Sequence, residues 1–245
     1  KTYSYDIKCN TDLTLTPSDE WISVSVEEDK MNITLTENNT GHVRRGSIAY
    51  KAGTNEDKIT ITQYDFEKDI AGEYMFLFTN AESGALQYLD ATLSKTGNAY
   101  SIELTGLGFS IPVTYNKTNG DLTLKAGQYI GDYDAYKVHT TLWDTKEGYL
   151  TWDTSISMSG SFEYVEEDGV GYTIALIEDD GSWGSYHPDA IRLEAFKSTT
   201  LSSSTRVGSL LSLIDPYLQR AHAGEAITYK MAKTPVKANV EFLLK

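Results

Sequence analysis

Residues 38 to 63 read NNTGHVRRGSIAYKAGTNEDKITITQ. Ile48 with Tyr50, then Ile59 with Ile61, alternate with polar neighbours, as strands do when one face meets a core and the other meets water. Gly53 to Glu56 is the polar loop between them, so the segment predicts a hairpin. The same period runs upstream through residues 12 to 16 (DLTLT), 21 to 26 (WISVSV), and Met31, Ile33 and Leu35, with Pro17, Ser18 and Asp19 as a turn. Short alternating strands at this spacing predict an antiparallel β-sandwich.

Four features of this region are shared with a known family: Trp21 before an alternating strand, the Asn38, Asn39, Thr40 corner, the Arg44, Arg45, Gly46 step into a strand, and a last strand closing on Gln63. Residues 20 to 63 thereby resemble the BACON domain, with that family's usual first strand short or missing. The resemblance implies an immunoglobulin-like sandwich, a surface or periplasmic setting in a Bacteroidetes bacterium, and a connection to carbohydrate, although members also act as spacers. Within the module, Trp21 reads as a core plug. Arg45 reads as a donor to carbonyls or a carboxylate at the sheet edge.

Thirty-five acidic against 21 basic residues give a formal charge of −14. Polyanionic nucleic acid would be repelled, which excludes it as a partner. No apolar run approaches the roughly 20 residues that span a bilayer, and the opening KTYSYD carries no leader, so a soluble mature chain or a trimmed one is expected. Seventeen Tyr and four Trp among many Thr, Ser and Gly fit an all-β protein. Cys9 is the sole cysteine and reads as a small hydrophobe at a strand edge. In an envelope lipoprotein the acylated cysteine would lie upstream, because Asp6, Ile7 and Lys8 are not the small residues of a lipidation signal.

The charged DFEKDI stretch (Asp65 to Ile70) places a domain boundary after residue 65, giving a sandwich over 1–65 and a larger domain over 66–245. Candidate strands follow at 72–78, 86–94, 99–105, 109–115, 121–125, 135–143, 148–154, 158–165, 171–178 and 190–197. Separators such as Asn119, Gly120, Asp121 and Asp179, Asp180, Gly181 supply the positive φ that hairpins need. An up-and-down meander follows, and closing it into a barrel removes its two exposed edges. Val207, Leu210, Leu211, Ile214, Tyr217 and Leu218 then fall at helical spacing, predicting one helix that is kinked or restarted at Asp215 and Pro216 and stopped at Gly224. Strands are expected again over 226–231 and 238–243. This order of elements resembles the lipocalin or calycin arrangement, an all-β barrel with one helix outside.

No Gly-x-Ser-x-Gly elbow is present, and His42, His139, His187 and His222 lack metal-binding spacing, so neither a catalytic residue nor a metal site is assigned. His139, on one strand face with Lys137, Thr141 and Trp143, reads as a partly buried neutral histidine. The acidic runs at 166–168 and 178–180 lack the ligand spacing of a calcium loop and read as solvated turns. Paired carboxylates for glycoside cleavage are defined only in three dimensions.

Aromatic residues carry the remaining signal. Tyr129, Tyr133, Tyr136, Trp143, Trp152, Trp183 and Tyr186 are interleaved with Asp132, Asp134, Asp144 and Asp153. Rings stack on the C–H faces of sugars while carboxylates accept from hydroxyls, and a barrel mouth uses the same mixture for a small hydrophobic ligand. Core packing is the competing role for each ring. Trp183, Tyr186, Tyr129 and Tyr133, in loop-like segments, escape it best; Trp143 and Trp152 complete the candidate ligand-binding set. The expectation is a non-enzymatic envelope protein, without cofactor, that binds a glycan or small ligand through its second domain. A spacer that binds nothing small and a carbohydrate hydrolase are the alternatives.

Overall fold

A computed structural model of the chain describes residues 1–167, 169–222 and 235–238. Strands dominate both of its units, one ending at Ile70 and the other beginning at Ala71. Residues Phe66–Ile70, a single π-helical turn, belong to the first unit.

That first unit holds β1 (Thr2–Asp6), β2 (Leu13–Pro17), β3 (Ile22–Glu27), β4 (Lys30–Leu35), β5 (Arg44–Ala52) and β6 (Asn55–Gln63). They form two antiparallel three-stranded sheets, β1-β4-β3 and β2-β5-β6. Ile22, Met31, Ile33 and Ile48 are buried, with Leu15, Trp21, Val24, Leu35, Ile59 and Ile61 packed against them. Burying this alternating apolar set is what drives the two sheets together. Gly46 is dictated by packing: a Cβ there would lie 2.7 Å from Ile22 and 2.8 Å from Trp21. Next to Arg45, Arg44 bonds at the sheet edge. Its guanidinium stacks 4.4 Å over Trp21 and donates to Gln63 Oε1 and to the Thr36 carbonyl. Asn38 closes its corner by donating to the His42 carbonyl at 2.7 Å and to Asp69 Oδ2 at 3.2 Å. Cys9 is exposed rather than packed.

The second unit runs β7 (Gly72–Asn80), β8 (Leu86–Thr96), β9 (Ala99–Leu104), β10 (Phe109–Tyr115), β11 (Asp121–Lys125), β12 (Tyr129–Tyr133), β13 (Tyr136–Asp144), β14 (Tyr149–Thr151), β15 (Ser157–Ser161), β16 (Glu163–Glu167), β17 (Val170–Leu176), β18 (Glu178–Asp179), β19 (Ala190–Phe196), β20 (Arg206–His222) and β21 (Val236–Lys237). One sheet follows the order β12-β13-β19-β20-β7-β8-β9-β10-β11-β15-β18; β14 pairs β13, β17 pairs β16 and β20, and β21 lies parallel to β8. The sheet curls as a half-barrel. Its inner face carries Phe76, Phe78, Ile102, Leu104, Phe109, Ile111 and Leu122, all fully buried.

The all-β class is as expected, with two corrections. Consecutive strands are neighbours from β7 to β11, but β13, β19 and β20 intervene between β12 and β7, so the chain departs from a simple up-and-down meander. Residues 206–222 form β20 and not a helix. Asp215 adopts φ +48° and the register shifts between Ile214 and Tyr217, so one extra residue enters the strand. Leu211 and Leu213 lie opposite Leu193 and Ile191, whereas beyond the bulge Leu218 lies opposite Phe76. The reset alternation puts Leu211 and Leu218 seven residues apart on one face, a spacing that two helical turns also produce. Pro216 is strongly unfavourable inside a helix, while β7, β17 and β19 all offer partners to an extended chain. Gly224 and the strand read over 226–231 lie outside the described residues, as does all but Ala238 of the strand read over 238–243.

Candidate functional site

Asp144 ends β13 and is buried at 2% exposure. One carboxylate oxygen accepts from the backbone N–H of Glu147 at 2.9 Å and the other from that of His187 at 3.0 Å. These backbone donors hold its carboxyl below the usual range, His187 foremost. The first bond closes the turn that delivers Tyr149, where Gly148 takes φ +76°. The second holds the loop that carries Trp183 and Tyr186.

Further bonds fix that loop from both sides. Asp189 donates its N–H to the Trp143 carbonyl and accepts from the backbone and hydroxyl of Thr145. Ser182 Oγ accepts from the Ser157 N–H at 2.8 Å, Ser157 Oγ donates to Asp180 at 2.6 Å, and His187 Nδ1 lies 2.7 Å from Asp179. Burial pushes the Asp180 carboxyl up, but the bonds from Ser157 and Ser182 outweigh it and leave it lowered.

The result is three rings, one from the start of β14 and two from the loop before β19. Tyr186 lies 5.1 Å from Trp183 and 4.8 Å from Tyr149, centroid to centroid, with interplanar angles of 46° and 59°. Tyr149 is 54% exposed; Trp183 and Tyr186 are half-buried. The structure thus brings together two of the rings predicted from sequence and adds Tyr149. That residue was legible as an aromatic following a Lys-Glu-Gly turn, but the strand pattern over 148–154 claimed it.

The remaining candidates sit elsewhere. Tyr129, His139, Glu194 and Ser209 are register partners across β12, β13, β19 and β20, on the face opposite the apolar interior. Tyr129 is 46% exposed, packs 5.4 Å from the His139 ring and donates to Asp132, which Lys137 also holds. His139 is 3% exposed, and burial lowers its pKa against the opposing pull of the Lys137 backbone. Trp152 meets Phe196 edge-on at 5.8 Å. Trp143 lies 4.9 Å beneath Arg192, which with Arg206 clamps the fully buried Glu194 at 2.7 to 3.1 Å. Tyr133 pairs with Tyr136 across the hairpin turn at Asp134, φ +50°. Tyr129 and Trp152 therefore pack along the sheet into one ring cluster through His139 and Phe196, while Trp143 packs beneath Arg192.

Two clefts have none of these candidate rings in their lining. One, of about 700 Å³, is lined by Glu73, Met75, Asp90, Thr92, Gln219 and Arg220 among others. A second, of about 600 Å³, is lined by Asp121, Ser161, Glu163, Val165, Leu176 and Glu178 among others. Among the described residues no three His, Cys, Asp or Glu side chains gather as for a metal ion, and no helix is long and apolar enough to cross a membrane.

Residues 54–182, more than half of the chain, match the model of the DUF4987 family, described as a domain of unknown function. The chain belongs to this family. Its DUF4987 match begins at Thr54, in the turn just before β6, and ends at Ser182, immediately before Trp183. Residues 11–64 match the BACON family, described as "Putative binding domain, N-terminal", in agreement with the resemblance carried by Trp21, Arg44, Gly46 and Gln63. No curated protein and no solved structure matches the chain, so the lipocalin resemblance gains no support from a relative.

Proposed function

We propose that this DUF4987 protein is a non-enzymatic binding protein of the bacterial cell envelope, held there by a lipid anchor upstream, and that it takes a glycan at Tyr149, Tyr186 and Trp183. The meeting of these three rings carries the reading. Exposed aromatic faces stack on sugar C–H surfaces, and a loop already pinned by Asp144, Asp180 and Asp189 loses little freedom on binding. The description of the BACON family as a binding domain is compatible with it. Titrating the full chain with a glycan panel, read by tryptophan fluorescence, tests the reading. Trp183→Ala and Tyr149→Ala should each weaken the response at least about tenfold. A genuine response that survives both substitutions would remove the site.

A second reading is a spacer that binds nothing small. It is favoured by the packing of Tyr129, Trp143 and Trp152 along the sheet and by the buried apolar side chains of the half-barrel interior. Silence across the whole panel at millimolar sugar would favour it.

A further inference from the structure

We propose that the rings of Tyr149, Tyr186 and Trp183 select neutral, hydroxyl-bearing glycans and turn away uronate and sulfated ones. This rests on the reading of the rings as a glycan site and adds which glycans it admits.

The two segments that supply the rings, residues 144–155 and 178–189, contain seven carboxylates and one lysine. That lysine, Lys146, lies 3.6 Å from Glu147 with its side chain largely exposed. The histidine in the second segment, His187, faces Asp179 at 2.7 Å. Carboxylates therefore outnumber cationic side chains seven to one in the two segments that a bound carboxylate or sulfate would meet. The bonds that pin the loops do not discharge the acids: Asp144 and Asp180 are both held ionised by the N–H and O–H groups that donate to them. The segments that carry the rings are thus rich in negative charge, and the chain's formal charge of −14 has the same sign.

A neutral sugar has nothing to lose from this field. Its C–H faces stack on the rings and its hydroxyls donate to carboxylate oxygens, each of which has lone pairs beyond those used internally. An anionic chain meets the same rings with like charge at close range, where a Debye length of about 10 Å at 0.1 M salt screens poorly.

The full chain should be titrated with a neutral hexose oligosaccharide and a hexuronate oligosaccharide of equal length, at about 20 mM and about 500 mM salt. The neutral ligand should bind at least about tenfold tighter at low salt, with the uronate gaining as salt rises and the neutral ligand indifferent. Glu147→Lys, two residues before Tyr149, should narrow the gap several-fold. Equal or tighter uronate binding, or a gap unmoved by both salt and Glu147→Lys, would overturn the selectivity while leaving the glycan reading in place. Failure of both ligands and of the wider panel would overturn the two together.

Discussion

The backbone N–H of His187 donates to the buried carboxylate of Asp144 at 3.0 Å, across 43 residues of sequence. Through that bond, and its companion from Glu147, one strand end sets the positions of Tyr149 and Tyr186.

Asp144→Ala should therefore loosen both loops at once. A lower thermal midpoint and a glycan response about tenfold weaker are expected, with Asp144→Asn, which keeps one acceptor oxygen, between it and the native chain. The pH dependence has a definite sign. The folded carboxyl titrates below its unfolded value, so its contribution is present above about pH 4 and is lost as pH falls through the folded value. Thermal melts from about pH 6 to about pH 2 should fall less steeply for Asp144→Asn than for the native chain.

His139 acts at milder acidity. Burial between Tyr129 and Phe196 lowers its pKa, so the unfolded chain takes up a proton near pH 6.5 while the folded chain resists. Stability should decline as pH falls from about 7 to about 5, and His139→Phe should reduce that slope. Parallel curves for the two proteins in thermal melts would refute the assignment.

Glu194 is fully buried between Arg192 and Arg206. Removing it strands two guanidinium groups against the sheet, and Glu194→Ala should lower the unfolding free energy by about 3–5 kcal/mol. Replacing all three by apolar residues of similar size should cost less than this single change, as measured by urea denaturation.

Gly46→Ala tests the packing of the first unit. The added methyl meets Asp19, Ile22 and Trp21 at 2.6 to 2.8 Å, and a loss of about 1–3 kcal/mol is expected from overpacking. The urea midpoint should fall with the slope unchanged.

The site was half legible before the fold was known. Trp183 and Tyr186 are three residues apart in one glycine-rich loop, so their meeting at 5.1 Å is a local matter. Tyr149 reaches Tyr186 from 37 residues upstream, and only the pairing of β13 with β14 and β19 closes that distance. Trp143 and Trp152 show the opposite case: composition marks them as candidates, but their partners Arg192 and Phe196 come from β19.

Alternation of apolar and polar residues, a property of neighbours along the chain, was enough to read the all-β class, the sandwich core around Ile22, Ile33 and Ile48, and most strands up to β19. It misled at β20, because a single inserted residue at Asp215 and Pro216 restores two helical turns' spacing to an extended chain. Propensity could not decide between the two states there; the open edges of β7, β17 and β19 did. The clamp on Glu194 and the tie from Asp144 to His187 also belong to the folded molecule alone, since each bond joins strands or loops whose proximity follows from sheet register. Register is a long-range choice, made by burying one face of every strand together, and no short stretch of sequence contains it.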